Sequence, residues 1–329
     1  MKSRSISIFL ILVIFFSTFS TGHAHPEDRL RLNSEAAILM DATTGQILFN
    51  QNASKQMYPA SITKMITGLI AIEQGDLAET VSVSKKATEV IGTTVYLLED
   101  EEVELKRLVK GLLINSGNDA GTAIAEHLAG SERMFSSTMN DFVKKIGVRN
   151  SNFTNPHGLF DENHYTTAYD MAKIAQYAMK NDLFKKIVGT RELEWNGEGW
   201  ETTLYNHHRL IDNFEGVTGI KNGYVSKSGF TLVTSAERNG VELIAVTLNA
   251  DSADIGYDDT MRLLNHGFDN YLNSNQAYLS LFSNPFISPI KGNIPSNSHH
   301  GLSFIGRGFD LESNRQIMVL IEQLLLDID

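Results

Sequence analysis

Tyr58-Pro59-Ala60-Ser61-Ile62-Thr63-Lys64-Met65-Ile66-Thr67-Gly68-Leu69 is the stretch from which the rest of the chain can be read. Pro59 is a helix-start residue. Ile62, Met65, Ile66, Leu69 and Ile70 recur at spacings of three and four, which predicts a helix with one buried stripe that ends near Gly75. Ser61 falls at the mouth of that helix, and Lys64 lies one turn on, on the same face. A hydroxyl held beside an amine in apolar surroundings suits an activated nucleophile. Desolvation disfavours the ammonium and leaves the amine a base near neutral pH. Alone, the pattern says little: Ser82…Lys85 and Ser288…Lys291 repeat it, and a serine at a helix start can simply be a cap.

Upstream, residues 35–41 read as a strand, Thr44-Gly45 as a turn and residues 46–50 as a return strand. Downstream, residues 80–103 read as irregular structure or short strands. Leu105, Leu108, Val109, Leu112 and Leu113 mark a helix that reaches Ser116-Gly117-Asn118-Asp119. A second helix covers 120–129. A third covers 131–146, with Met134, Met139, Phe142, Val143 and Ile146 turned inward. Residues 155–159 are a loop, and 169–179 a helix capped by Thr167. Strands follow at 191–195 and 230–236. Asn239-Gly240 turns the chain into a return strand at 241–249, and a helix at 260–271 closes the domain. Hairpin, helices, strands, helix is an α+β order: one antiparallel sheet flanked by helices, built from both ends of residues 25–271, with a helical lobe inserted between them.

Residues 272–329 form an extension. Its first part, 272–301, is rich in Asn, Ser and Pro, and its last, 316–329, is an apolar, acidic run read as a docking helix or strand. At the other end, Lys2 and Arg4 precede an apolar run at 6–19, and Gly22-His23-Ala24 offers a cleavage site. Residues 1–24 therefore read as a secretory signal, with an uncleaved anchor as the competing reading. Removing them takes away only Lys2 and Arg4 and deepens the net charge from −11 to −13. Such a chain is a poor partner for nucleic acid and for anionic lipid. With no cysteine, disulfides, thiol catalysis and Cys-ligated metal sites are excluded.

Two further signals support the first. Ser116-Gly117-Asn118 is the only Ser-x-Asn in the chain, placed between two helices where a loop can project into a cleft. Lys221-Asn222-Gly223 precedes a glycine-bounded hairpin of apolar strands. In this order, Ser-x-x-Lys, Ser-x-Asn and Lys-x-Gly resemble the serine-type D-alanyl-D-alanine carboxypeptidases, the low-molecular-weight penicillin-binding proteins of peptidase family S11. Flanking stretches match too: Met40-Asp41, Pro59-Ala60, Asn155-Pro156-His157-Gly158-Leu159 and Thr166-Thr167-Ala168-Tyr169-Asp170-Met171-Ala172. The likeness covers about residues 34–271.

The resemblance implies a β-lactamase/transpeptidase-like fold, peptidoglycan stem peptides as substrate, β-lactams as covalent inhibitors, no cofactor, no metal, and a place outside the cytoplasmic membrane. It implies Ser61 as nucleophile, Lys64 as its base, Ser116 as proton relay, and Asn118 as a holder of both the substrate amide and the lysine. Lys221, Asn222, Gly223 and Tyr224 become substrate-binding residues, and the N–H groups of Ser61 and Tyr224 the oxyanion hole. Two departures stand out. Asn222 occupies the family's threonine position, and residues 249–254 lack the arginine often found after the return strand. Both bear on recognition of a free carboxylate and favour cross-linked peptides as an alternative substrate. A non-catalytic wall-peptide binder is the alternative from another class. Lys227-Ser228-Gly229 is a closer textual match to the third motif, but the Gly-Tyr that follows the motif in the family is found after Asn222. His157 and His164 read as loop structure, the adjacent pairs His207-His208 and His299-His300 as residues pointing apart on strands, and Trp195 and Trp200 as packing or rim residues.

Overall fold

The computed structural model describes residues 30–282. The expected signal at 1–24, the end of the extension with its docking element at 316–329, and His299-His300 lie outside the described residues. Residues 30–279 belong to one compact unit, which carries the site.

Strands β1 (Ala36–Asp41) and β2 (Ile47–Gln51) form the N-terminal hairpin. A 3-10 turn at Ala60–Thr63 leads into helix α1 (Lys64–Gln74), which ends at Gly75. Ser61 thus lies in a tight turn rather than in the α-helix. The expected single stripe on α1 is also too narrow: Lys64 through Ala71 are all buried, because helices surround its first two turns. Short strand β3 (Thr80–Ser82), helix α2 (Lys85–Thr88, capped by Ser84) and strand β4 (Glu102–Glu104) follow, with β3 and β4 paired. The lobe continues with α3 (Leu105–Ile114), α4 (Asn118–Ala129) and α5 (Glu132–Lys145). Met134 is not inward but 58% exposed; the buried face of α5 is Phe135, Met139, Phe142 and Val143. Two adjacent apolar residues left the helical phase open by one position, and Phe135, at spacings of four, seven and eight from the others, is the one that fits.

Helix α6 (Ala168–Ala178) begins at Thr167, whose hydroxyl accepts from the Asp170 N–H as expected of a cap. Helix α7 (Asp182–Val188), the hairpin of β5 (Glu192–Asn196) with β6 (Glu201–Tyr205), and helix α8 (Leu210–Asn213) come next; of these only β5 was anticipated. His207 and His208 precede α8 and are not on a strand: His208 is buried with Nε2 2.8 Å from Thr234 Oγ1, while His207 is exposed. Strands β7 (Val217–Val225), β8 (Gly229–Arg238) and β9 (Val241–Ala250) complete the main sheet, and Asn239-Gly240 turns β8 into β9 with both residues at positive φ. Helix α9 (Ala253–Phe282) starts earlier and runs further than 260–271. Ser252 Oγ accepts from the Ile255 N–H at its start and caps it.

The sheet order is β2-β1-β9-β8-β7, all antiparallel, so the two ends of the domain meet at β1 and β9. β1 is buried on both faces. Ile38 and Met40 join the helical lobe's core, while Ala37 and Leu39 pack with Leu243, Leu263, Leu264 and Phe268 beneath α9. This α+β arrangement leaves β7 as the sheet edge beside the Ala60–Thr63 turn.

Candidate active site

Lys64 is wholly buried, with Nζ 3.0 Å from Ser61 Oγ and 2.7 Å from the carbonyl of His157. Burial pushes its pKa well below the ordinary lysine value; the nearby Lys221 charge adds to this and Asp119 opposes it. Lys221 is buried too, and burial brings it down to about 7. Its Nζ donates to the Asn222 carbonyl at 3.0 Å and to Asn222 Oδ1 at 3.3 Å, which leaves the Asn222 NH2 group free of that contact.

The turn carrying Ser61 is held from two sides. On the sheet side, Thr231 Oγ1 donates to the Pro59 carbonyl at 2.9 Å, with the Gly223 carbonyl 3.2 Å away. A Cβ added at Gly223 would stand 2.6 Å from the Ser61 nitrogen, so only glycine lets β7 lie against the Ser61 N–H. On the lobe side, the loop at 155–159 supplies two carbonyls: His157 to Lys64, and Pro156, which accepts from Thr67 Oγ1 at 2.6 Å. Gly158, at φ +86, lies so close that its Cβ would be 1.9 Å from the Ala60 oxygen. Ala60 has φ +52, a left-handed conformation that turns Ser61 out of the helix line.

The imidazoles brace this loop. His157 Nδ1 accepts from the Leu159 N–H, so Nε2 carries the proton and faces Glu132 Oε1 at 3.3 Å. Burial lowers the His157 pKa. Burial also raises that of Glu132, but hydrogen bonds from His157, Lys86 and Thr122 outweigh it and hold the carboxyl at about 2. His164 Nδ1 accepts from Thr154 N–H and Nε2 lies 2.8 Å from Thr63 Oγ1; burial lowers its pKa to about 3. Both histidines thus serve the loop, as the sequence suggests.

Ser116 sits between α3 and α4 at φ +66, 5% exposed. Its loop is stitched to residues 91–97. Asn115 Nδ2 donates to the Thr94 carbonyl at 2.9 Å, and the Asp119 carboxyl accepts from the N–H groups of Val95 and Leu97. Asn118 departs from expectation: its Nδ2 donates to the Ile91 carbonyl at 2.6 Å, and no hydrogen bond joins it to Lys64, whose partners are Ser61 and His157. Segment 91–93 packs directly on that amide and its neighbour, with the Asn118 N–H also bound to the Thr93 carbonyl. Trp195 is buried and Trp200 stacks edge-on with Tyr96. Among the described residues no group of His, Asp and Glu is placed to hold a metal ion.

Fold and site together define a serine acyltransfer enzyme of the penicillin-recognising kind. The profile of Peptidase S11, D-alanyl-D-alanine carboxypeptidase, matches residues 21–252, and the chain belongs to that family. It is 33% identical over 269 residues to D-alanyl-D-alanine carboxypeptidase DacF of Bacillus subtilis, covering 80% of this chain and 69% of that one. It is 34% identical over 247 residues to DacD of Escherichia coli, covering 71% and 63%. The crystal structure of the D-alanyl-D-alanine carboxypeptidase DacD from Francisella tularensis superposes with a TM-score of 0.70 at 27% identity, over 73% of this chain and 71% of that chain. The chain therefore spans roughly two thirds of the length of these relatives.

The structure brings Ser61 and Lys64 into contact and sets Gly223 against Ser61. Sequence reasoning missed the His157 carbonyl, the Glu132 brace, Thr231 and Asp119. The quoted Asn155-Pro156-His157-Gly158-Leu159 flank was the one signal for the first of these.

Proposed function

We propose that this chain is a serine D-Ala-D-Ala carboxypeptidase that removes the terminal D-alanine from peptidoglycan stem peptides, on the outer side of the cytoplasmic membrane. The observation that carries the reading is a wholly buried Lys64 amine 3.0 Å from Ser61 Oγ in a member of this family. Lys64 takes the Ser61 proton as Oγ bonds to the carbonyl carbon between the two D-alanines. The N–H groups of Ser61 and Tyr224 receive the resulting oxyanion, an interaction worth ~3–4 kcal/mol per donor. As the C–N bond breaks, the leaving amine takes a proton through Ser116. Water then attacks the ester, Lys64 accepts its proton, and Ser61 is restored. Lys221 and the Asn222 amide receive the substrate carboxylate, and Asn118 its amide. A β-lactam follows the same first step, but its leaving nitrogen stays tethered.

Asn222 supports a second substrate class. Its amide is neutral and can donate to an uncharged carbonyl as well as, more strongly, to a carboxylate, which admits DD-endopeptidase action on cross-linked peptides. The test is D-alanine release from a pentapeptide ending in D-Ala-D-Ala, beside penicillin labelling followed by mass. Release and a mass adduct in the parent, both lost in Ser61→Ala, are expected. Labelling without release from either linear or cross-linked peptide would leave a binder, and no labelling would overturn the reading.

A further inference from the structure

The His157 carbonyl that receives the Lys64 amine belongs to a residue held from outside the site. The His157 ring acts as a strut. Nδ1 accepts from the Leu159 N–H within the loop, and Nε2 donates to Glu132 Oε1, 3.3 Å away at the first residue of α5. The same Oε1 accepts from Thr122 Oγ1 at 2.7 Å. Thr122 lies four residues after Asn118, one turn along α4. The other oxygen, Oε2, takes the half-exposed Lys86 ammonium at 2.6 Å.

One carboxylate oxygen thus joins two parts of the site: the loop that holds Lys64 and the helix that begins at Asn118. Among the described residues no other hydrogen bond runs from α4 or α5 to residues 155–159, whose remaining bonds go to Thr67 or stay within the loop. Where α4 meets the loop it presents Gly121, and a Cβ there would stand 3.5 Å from His157 Cβ, so α4 offers bare backbone at this point. The base of the strut is rigid. Ser131 Oγ caps α5 by accepting from the Met134 N–H, Ser136 Oγ donates to the Glu132 carbonyl at 2.8 Å, and Phe135 is fully buried. Burial opposes ionisation of Glu132, but the donors His157, Lys86 and Thr122 outweigh it and keep the carboxyl an acceptor at both oxygens.

We propose that Glu132 is a positioning residue for acyl transfer: by accepting from Thr122 and His157 at one oxygen, it fixes the Lys64 amine in register with Ser116 and Asn118. This role rests on the carboxypeptidase reading and adds to it a residue that touches neither substrate nor nucleophile. On that reading Lys64 takes a proton and Ser116 returns one, so the spacing of the two groups enters the rate directly. Neither motif sets that spacing alone, because Lys64 begins α1 and Asn118 begins α4. Without Glu132 the loop keeps its internal bonds from Asn155 to Gly158 and Leu159 but loses its tie to α4.

The test measures the limiting rate and the half-saturating concentration for acylation of Ser61 by a fluorescent penicillin, with urea melts beside them. Glu132→Ala removes the joint and should lower the limiting rate at least about tenfold, with the half-saturating concentration little changed. Glu132→Gln keeps an acceptor oxygen for Thr122 and His157 and should return the rate to within about threefold of the parent. Lys86→Met removes only the outer ion pair, so it should acylate at the parent rate even where it costs stability. Thr122→Val cuts only the α4 side and should slow the limiting rate about fivefold, which decides the matter if Glu132→Ala does not fold. Parent rates in Thr122→Val and in folded Glu132→Ala would overturn the positioning role while the carboxypeptidase reading stands. So would a common slowing of Glu132→Ala, Glu132→Gln and Lys86→Met that follows their loss of stability. No acylation of the parent would overturn both.

Discussion

Gly158→Ala tests whether the 155–159 loop sets the geometry of the nucleophile. Two effects act at once. Gly158 has φ +86, and a left-handed alanine costs ~1–2 kcal/mol. The new Cβ would also stand 1.9 Å from the Ala60 oxygen, where contacts below 3.0 Å do not occur, so loop and turn must separate by about 1 Å. Either Ala60 moves, taking Ser61 with it, or the loop moves, taking the His157 carbonyl from Lys64. A displacement of ~1 Å at a reacting pair can cost ~100-fold in rate. Gly147 separates the two effects: its φ is +89, and nothing lies within 4 Å of its Cβ position. The assay is the second-order rate of acylation by a fluorescent penicillin, with urea melts for stability. Gly147→Ala should lose ~1–2 kcal/mol and acylate at the parent rate. Gly158→Ala should lose more stability and acylate ~100-fold more slowly. If folded Gly158→Ala acylates within about threefold of the parent, far short of that, the close approach of this loop does not position the nucleophile.

Two other outcomes follow from the same geometry. On the proposed roles, activity should be confined near neutrality: protonation removes Lys64 as a base as pH falls, and above about 7 Lys221 loses the charge proposed to meet a substrate carboxylate. A pH profile of kcat/KM should show the alkaline fall for a free-carboxylate peptide and not for its C-terminal amide; a carboxylate profile still rising at pH 9 would contradict this. Asp119→Ala strips the acceptor from the buried N–H groups of Val95, Leu97 and Ala120 and should cost ~3 kcal/mol in urea unfolding; a loss below ~1 kcal/mol would show that these bonds are replaceable.

What could be read from the chain was whatever side chains encode by spacing. Strands β8 and β9 were legible because residues 230–250 are apolar runs around Asn239-Gly240, and α1 because its apolar residues fall three and four apart, whereas β7, which carries Lys221-Asn222-Gly223, was not read as a strand. Ser61 and Lys64 meet because one helical turn puts them there. Contacts made by backbone atoms had no such signature. The His157 and Pro156 carbonyls that hold α1 could not be assigned from residue type, nor could the left-handed φ of Ala60 and Ser116. Asn118 shows a further limit: residue type gives its amide a donor and an acceptor but not their partners, and local packing gave its Nδ2 the Ile91 carbonyl. On α5, two adjacent apolar residues made the phase ambiguous, and burial went to Phe135 rather than Met134.

The pairing of β1 with β9 also governs how the molecule forms. Ala36 meets Leu248 and Asp41 meets Leu243, so the central pairing of the sheet joins residues some two hundred positions apart. The entropy of closing so long a loop must be met before that pairing returns anything. Until residue 250 is available, β1 and β2 are a lone hairpin, marginal in water and carrying an apolar face. Folding is therefore expected to be late and concerted at this seam. Chains stopped short of β9 should expose β1 as an open edge prone to associate with other chains, even where the helical lobe is whole.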